Sequence, residues 1–254
     1  MKNQEITNLS EYIKYISNHE HQHVCQWFFR GHSNESYTLT PSLFRIDLDS
    51  TYSNWERLET YIMEEFKKES IPHLKYRPIN DVEWLIMAQH YGLPTRLLDW
   101  STNSLVALYF ACEDYSNGFN SNVWMYGLAS TNNCWEESTI IARKLGISGV
   151  NNSIIFPQHI DSRITNQAGC FSIHEFPNDK TFKPFDQSKR EHLESFEKII
   201  IKAENKREIL NELYAIGIHK GFIYPGLDGI TSKIKYEIET KHKRTTLETT
   251  TFKH

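Results

Sequence analysis

Gln89-His90-Tyr91-Gly92-Leu93-Pro94-Thr95-Arg96-Leu97-Leu98-Asp99-Trp100-Ser101-Thr102-Asn103-Ser104, followed at once by Leu105-Val106-Ala107-Leu108-Tyr109-Phe110-Ala111-Cys112, is the stretch on which the reading of this chain turns. Upstream, Asn80 with Glu83 three residues on makes a capping-box start to a helix carrying Val82, Leu85, Ile86 and His90. Gly92 ends that helix and Pro94 prevents its resumption. Thr95 to Trp100 is too short for a helix between such breakers and reads as a brief strand or an extended loop. Asn103 is then an N-cap for a helix from Ser104, with Leu105, Leu108, Ala111 and Cys112 facing a core. Two helix termini and the strand between them gather His90, Thr95, Arg96, Asp99, Ser101 and Asn103, beside the free N–H groups of a helix start. Such a place suits an anionic ligand.

Working outward, Ser10 is placed to cap a first helix in which Leu9, Tyr12, Ile13 and Ile16 recur at helical spacing. His19-Glu20-His21-Gln22-His23 resembles a metal tract, but a polar loop before a strand accounts for it and no metal is assigned. Val24 to Arg30 has apolar groups on both faces, as an interior strand does. It ends in Arg30 and Gly31, the arginine being either a paired structural residue or a ligand-binding guanidinium. Tyr37 to Arg45 reads as extended, and Trp55, Leu58, Ile62 and Phe66 stripe an amphipathic helix.

Downstream, Val123 to Leu128 reads as a strand, Trp135 to Leu145 as a helix and Asn151 to Pro157 as a loop or strand edge. Arg163 to His174 reads as a polar turn running into a half-buried strand, and Phe176 to His192 as a surface loop or lid. Lys198 to Ala203 is strand-like, and Asn205 with Glu208 repeats the capping-box pattern before a helix closed by Gly217. Phe222 to Pro225 reads as a short strand, Gly226 to Gly229 as a turn before a last helix with Ile230, Ile234 and Ile238, and the segment after Lys241 as a frayed tail. The expected architecture is a single α+β domain with a mixed or mainly antiparallel sheet and surrounding helices. The expected layout is an N-terminal helix and loop over 1–23, the domain over 24–241 and a flexible tail over 242–254.

The 254 residues are 39% hydrophobic and 13% aromatic, enough for one sizeable core. With 28 Lys and Arg against 32 Asp and Glu, a formal charge of -4, nothing drives the whole chain toward nucleic acid or an anionic membrane. Cys25, Cys112, Cys134 and Cys170 form no C-x-x-C pair and read as buried thiols in a reducing compartment. No apolar run approaches membrane-spanning length and the first residues lack a signal core, so a cytoplasmic location is expected.

Taken together, Phe29-Arg30-Gly31, the Gln89 to Trp100 stretch, Ala107-Leu108-Tyr109-Phe110-Ala111, Gln167-x-Gly169-x-Phe171 and Tyr224-Pro225-Gly226-Leu227-Asp228-Gly229 resemble the FRG domain family, in family order. Ser104 departs from the Pro expected after Asn103; since Pro at the first helical turn only preorganises φ, the cap should survive. The resemblance implies a bacterial or phage context of toxin-antitoxin or phage-defence type. A weaker likeness, to ADP-ribosyltransferases, implies NAD as the nucleotide ligand, with Phe29-Arg30-Gly31 as its first strand and Trp100 to Ser104 as the strand-helix segment. No Glu-x-Glu or Gln-x-Glu pair supplies the late carboxylate of that group, and Asp99 or Asp228 stands in for it.

The candidate catalytic residues are therefore Arg30, Asp99, Gln167 and Asp228. Candidate ligand-binding residues are Gly31, His90, Tyr91, Thr95, Arg96, Trp100, Ser101, Asn103 and Arg163, with Arg30 and Arg96 gripping pyrophosphate and Tyr91 or Trp100 stacking on a ring. Two rival readings stand beside this one. The first is a non-catalytic module recognising a protein partner, antitoxin or phage component. The second is a nucleic-acid-directed toxin using Lys180 to Arg190 or the C-terminal tail. Ser101 lies in no G-x-S-x-G elbow, which sets serine hydrolase chemistry aside.

Overall fold

The computed structural model describes residues 3–20, 26–49, 51–74, 76–128, 134–136, 154–157, 162–178, 181–185 and 193–251. Strands β1 (Asn3–Ile6), β2 (Gln26–His32), β3 (Leu97–Ser101), β4 (Ser121–Leu128), β5 (Cys134–Glu136), β6 (Ile154–Phe156), β7 (Gly169–Ile173) and β8 (Leu193–Ile201) form one sheet. Its order is β1-β8-β4-β2-β3-β7-β6-β5. The outer pairs β1/β8 and β5/β6 run parallel and the inner pairs antiparallel. The helices are α1 (Leu9–Glu20), α2 (Trp55–Ser70), α3 (Asp81–His90), α4 (Ser104–Cys112), α5 (Ser162–Asn166), α6 (Ala203–Ala215), α7 (Lys220–Ile223) and α8 (Leu227–Thr251). This is an α+β fold with a mostly antiparallel mixed sheet, as expected.

Strand residues alternate between the two faces of a sheet, and β2 is apolar on both because both faces are covered. Trp27 and Phe29 pack with Val123, Met125, Ile199 and Ile201 beneath α1, α4 and α6. Phe28 faces the other way, into a cluster of Leu98, Trp100, Trp124, Tyr126 and Phe185. Its complete burial is worth about 2–3 kcal/mol. Helix α4 is buried on nearly every side, which explains why its sequence is apolar throughout. Helix α3 covers the adjoining half-sheet, with Val82, Leu85 and Ile86 against Leu97, Phe171 and Ile173.

The capping residues expected at Asn80 and Asn103 accept from Glu83 N and Leu105 N, and Gly92 and Gly217 adopt positive φ at the ends of their helices. Elsewhere the elements differ from expectation, for local reasons. Asn8, not Ser10, caps α1 by accepting from Glu11 N at 2.9 Å, and residues 3–6 add an edge strand. Leu43–Arg45 is a 3-10 turn within the stretch read as extended. Cys134–Glu136 is a strand where a helix was expected to begin; residues 137–150 lie outside the described residues, as do His21 and His23 of the His-rich tract. The polar turn after Arg163 is the short helix α5. Helix α6 begins at Ala203, so Asn205 lies in its first turn rather than at the cap. The expected strand at Phe222 is α7, because His219 Nδ1 accepts from Phe222 N at 3.0 Å and starts a helical turn. Gly226, at φ 118°, makes the reversal alone, and Asp228 and Gly229 already belong to α8. The lid-like segment is pinned in part: Phe185 is fully buried and its N–H donates to Leu39 O at 2.9 Å. Beyond Lys241 the backbone stays helical to Thr251.

Candidate functional site

β2 pairs with β4 along its whole length, and β7 does the same with β3. Between these two halves, β2 and β3 meet in register at Phe29↔Ser101. Beyond that pair the sheet opens into a seam, on the face shared by Phe29, Asp99 and Ser101 and lying between α3 and α4. Arg30 spans the seam. Its Nη1 donates to the Asp99 carbonyl at 2.6 Å and lies 3.3 Å from Asp99 Oδ2. Its Nε donates to His32 Nε2 at 3.1 Å. From the other side, Gln89 Nε2 donates to Asp99 Oδ2 at 2.9 Å, while Thr95 Oγ1 donates to Gln89 Oε1 at 2.6 Å. The chain Thr95–Gln89–Asp99–Arg30–His32 thus fixes the Asp99 carboxylate, whose side chain stays 55% exposed and so accessible to a ligand.

The cavity here is about 270 Å³ and is bordered by Arg30, Gly31, Asp99, Trp100, Ser101, Arg163 and Gln167 from the predicted set, together with Phe29, Gln89, Ala107 and Phe110. Residues from positions 30, 99, 163 and 167 therefore share one concavity. Ser101 Oγ donates to Gln167 O at 2.7 Å and accepts from Asn103 N at 2.9 Å, tying the start of α4 to the turn before β7. Gln167 Nε2 donates to Ile223 O at 3.0 Å, and the Arg163 guanidinium lies 4.8 Å from the centre of the Tyr224 ring.

The other predicted residues lie outside this lining. Asn103 caps α4, with its Oδ1 accepting from Leu105 N. Thr95 is buried as the hydrogen-bond hub above. Arg96 pairs with buried Glu59, Nε to Oε2 at 3.1 Å, beneath the Phe176 ring. His90 ends α3 against the ring of Tyr91, which is 69% exposed. Trp100 does border the cavity, but as a core residue, its indole donating to Ser172 Oγ at 2.9 Å. Asp228 sits in the first turn of α8. Gln89 and His32 belong to the site although sequence reasoning assigned them no role. Their signals were present: Gln89 opens the decisive stretch, and His32 follows Arg30 by the two-residue period of a strand face.

Burial governs the state of His32. Burial, and secondarily the Arg30 guanidinium, push its pKa down from 6.5 to about 3, so the ring is neutral and accepts from Arg30. The unfolded chain takes up this proton first, so the stabilising contribution is complete above pH 6.5 and is lost as pH falls toward 3. That loss amounts to up to about 5 kcal/mol. Urea unfolding of the wild type between pH 7.5 and 4 should show this decline, and His32→Gln should flatten it; parallel curves would remove His32 as the cause. The Cys112 thiol is pushed up to about 12 by burial and is chemically inert. Among the described residues, no group of three His, Cys, Asp or Glu is placed to hold a metal ion, and no helix is long and apolar enough to cross a membrane.

Residues 25–119, which carry β2, α2, α3, β3 and α4, match the family model of the FRG domain. Neither the curated proteins nor the solved structures contain a match to this chain.

Proposed function

We propose that the seam between β2 and β3 is a nucleotide site, that its ligand is NAD, and that the protein is an ADP-ribosyltransferase-like effector of toxin-antitoxin or phage-defence type. The reading rests on one observation above others: the Asp99 carboxylate stands 3.3 Å from Arg30, held by Gln89 and open to the cavity. In this mechanism Arg30 and Arg163 neutralise the pyrophosphate, the guanidinium fork being suited to phosphate oxygens. Asp99, rather than Asp228, is the carboxylate that accepts from a ribose hydroxyl and stabilises positive charge at C1′. The bond from C1′ to the nicotinamide nitrogen breaks with its electron pair leaving on nicotinamide. The oxocarbenium-like centre is then captured by an acceptor nucleophile or water, which gives up its proton. Gln167 shapes the wall opposite, through Ser101 and Ile223.

Incubation with NAD labelled in the adenosine portion, with and without bacterial extract, tests this directly. Wild type should release nicotinamide or transfer label, and Arg30→Ala and Asp99→Asn should each slow turnover by about 100-fold or more, as loss of one preorganised charge does. Equal rates in all three proteins would defeat the proposal. A non-catalytic module recognising a protein partner, antitoxin or phage component is the second reading, favoured by the fact that Arg30 and Asp99 already satisfy each other without a ligand. Partner capture with no NAD turnover selects it, and salt-dependent retention of RNA or DNA would select a nucleic-acid-directed toxin.

A further inference from the structure

A second cavity of about 270 Å³ lies between α4, α6, α7 and α8, outside the seam. Its lining combines three chemistries in one place. Tyr109, Tyr214 and Tyr236 supply aromatic wall, and the last two are held with ring centres 5.3 Å apart. Their hydroxyls are tied down, Tyr214 to Glu237 and Tyr236 to Asn211, so the wall is built before any ligand arrives. Glu113 contributes an acceptor: it accepts from Tyr224 OH at 3.1 Å, and a carboxylate has further lone pairs to offer. Lys220, Lys233 and Lys235 border the cavity, and Lys220 and Lys235 have no carboxylate within 4.0 Å among the described residues.

A ligand matching this lining carries a flat ring, a hydrogen-bond donor and an anionic group. We propose that this cavity binds a purine nucleotide bearing an amino group, the base against the tyrosines with its amino N–H donating to Glu113 and the phosphates toward Lys235. The volume suits a base and leaves the phosphates at the open rim. Burial holds the Glu113 carboxyl above its ordinary range, against the opposing pull of Tyr224, Lys220 and Arg163, so an incoming N–H donor compensates a poorly solvated acceptor. An amine without a flat body leaves the aromatic wall unused, and an aromatic without phosphate leaves the lysines unanswered. The site does not rest on the NAD reading, since Arg30 and Asp99 take no part in it.

Calorimetric titration of the full chain with ADP, AMP, adenosine and purine riboside 5′-monophosphate is the test. The last compound lacks the amino group. ADP is expected to bind saturably, adenosine about 10-fold more weakly, and purine riboside monophosphate about 10-fold more weakly than AMP, as a site built for a donor rejects its isostere. Glu113→Gln should erase most of the difference between AMP and purine riboside monophosphate. Lys235→Ala, at an exposed position that leaves the fold untouched, should weaken ADP but not adenosine. Arg30→Ala should leave ADP binding unchanged even where it abolishes reaction with NAD. The proposal fails if ADP shows no saturable binding at millimolar concentration. It fails equally if Glu113→Gln and Lys235→Ala both bind like wild type, or if Arg30→Ala abolishes ADP binding, which would place the nucleotide in the seam.

Discussion

Gly31→Ala is expected to destabilise the protein by about 4 kcal/mol or more, among the largest effects a single methyl group produces. A Cβ at this position would stand 1.9 Å from Ala107 O and 2.7 Å from Ala111 N, both backbone atoms of α4. No rotamer relieves a clash with a helix backbone, so α4 must move off β2. That movement would also displace Ala107 and Phe110 from the cavity, so the binding proposed for the seam should be lost along with stability. Urea unfolding followed by circular dichroism measures the loss. An unfolding free energy within about 0.5 kcal/mol of wild type, the range of a neutral surface change, would mean that α4 does not approach β2 this closely. The glycine of the Phe-Arg-Gly motif is thus a packing requirement beneath the site, adjacent to the arginine that serves it.

Lys206→Met should cost about 3–5 kcal/mol, although methionine nearly matches lysine in length and the position has no exposure to lose. The Lys206 ammonium donates to Ser33 O at 3.0 Å, Asp114 O at 2.9 Å, Asn117 Oδ1 at 3.0 Å and Phe119 O at 3.2 Å. Removing it leaves a buried group of acceptors facing one another without a donor. It also unties the start of α6 from the loop that follows β2 and from the turn that precedes β4. Thermal and urea unfolding of Lys206→Met beside an exposed control, Lys235→Met, checks the effect. Similar midpoints in the two variants would show that water replaces the ammonium without penalty.

How much was readable in advance depended on the range of the physics. Asn80 and Asn103 act on N–H groups two or three residues away, so their capping was legible from spacing. Lys206 draws on partners 87 to 173 positions distant, and no local pattern marks it among other lysines on a helix. His219 misled for a related reason: Phe222-Ile223-Tyr224 has strand composition, yet a side-chain cap one residue before α7 turns it helical. The site divides along the same line. Arg30 and Asp99 were both recognisable as candidates, Arg30 for its charge at the end of an apolar strand and Asp99 as the carboxylate of the polar cluster between two helix ends. That they meet, while Arg96, three residues from Asp99, pairs with Glu59 instead, is a property of the fold.

The sequence alone determined the α+β class, the helix-strand-helix order of the Gln89 to Cys112 stretch, and the glycines and caps that punctuate it, because those follow from hydrophobic period and local hydrogen bonding. Only the tertiary structure decided where the sheet opens. Strand pairing between β2 and β3 stops at Phe29↔Ser101, and the guanidinium of Arg30 takes up the next carbonyl in place of a ladder bond. Such a choice depends on how α3 and α4 pack against the two half-sheets, a balance among residues far apart in the chain that no short window of sequence contains.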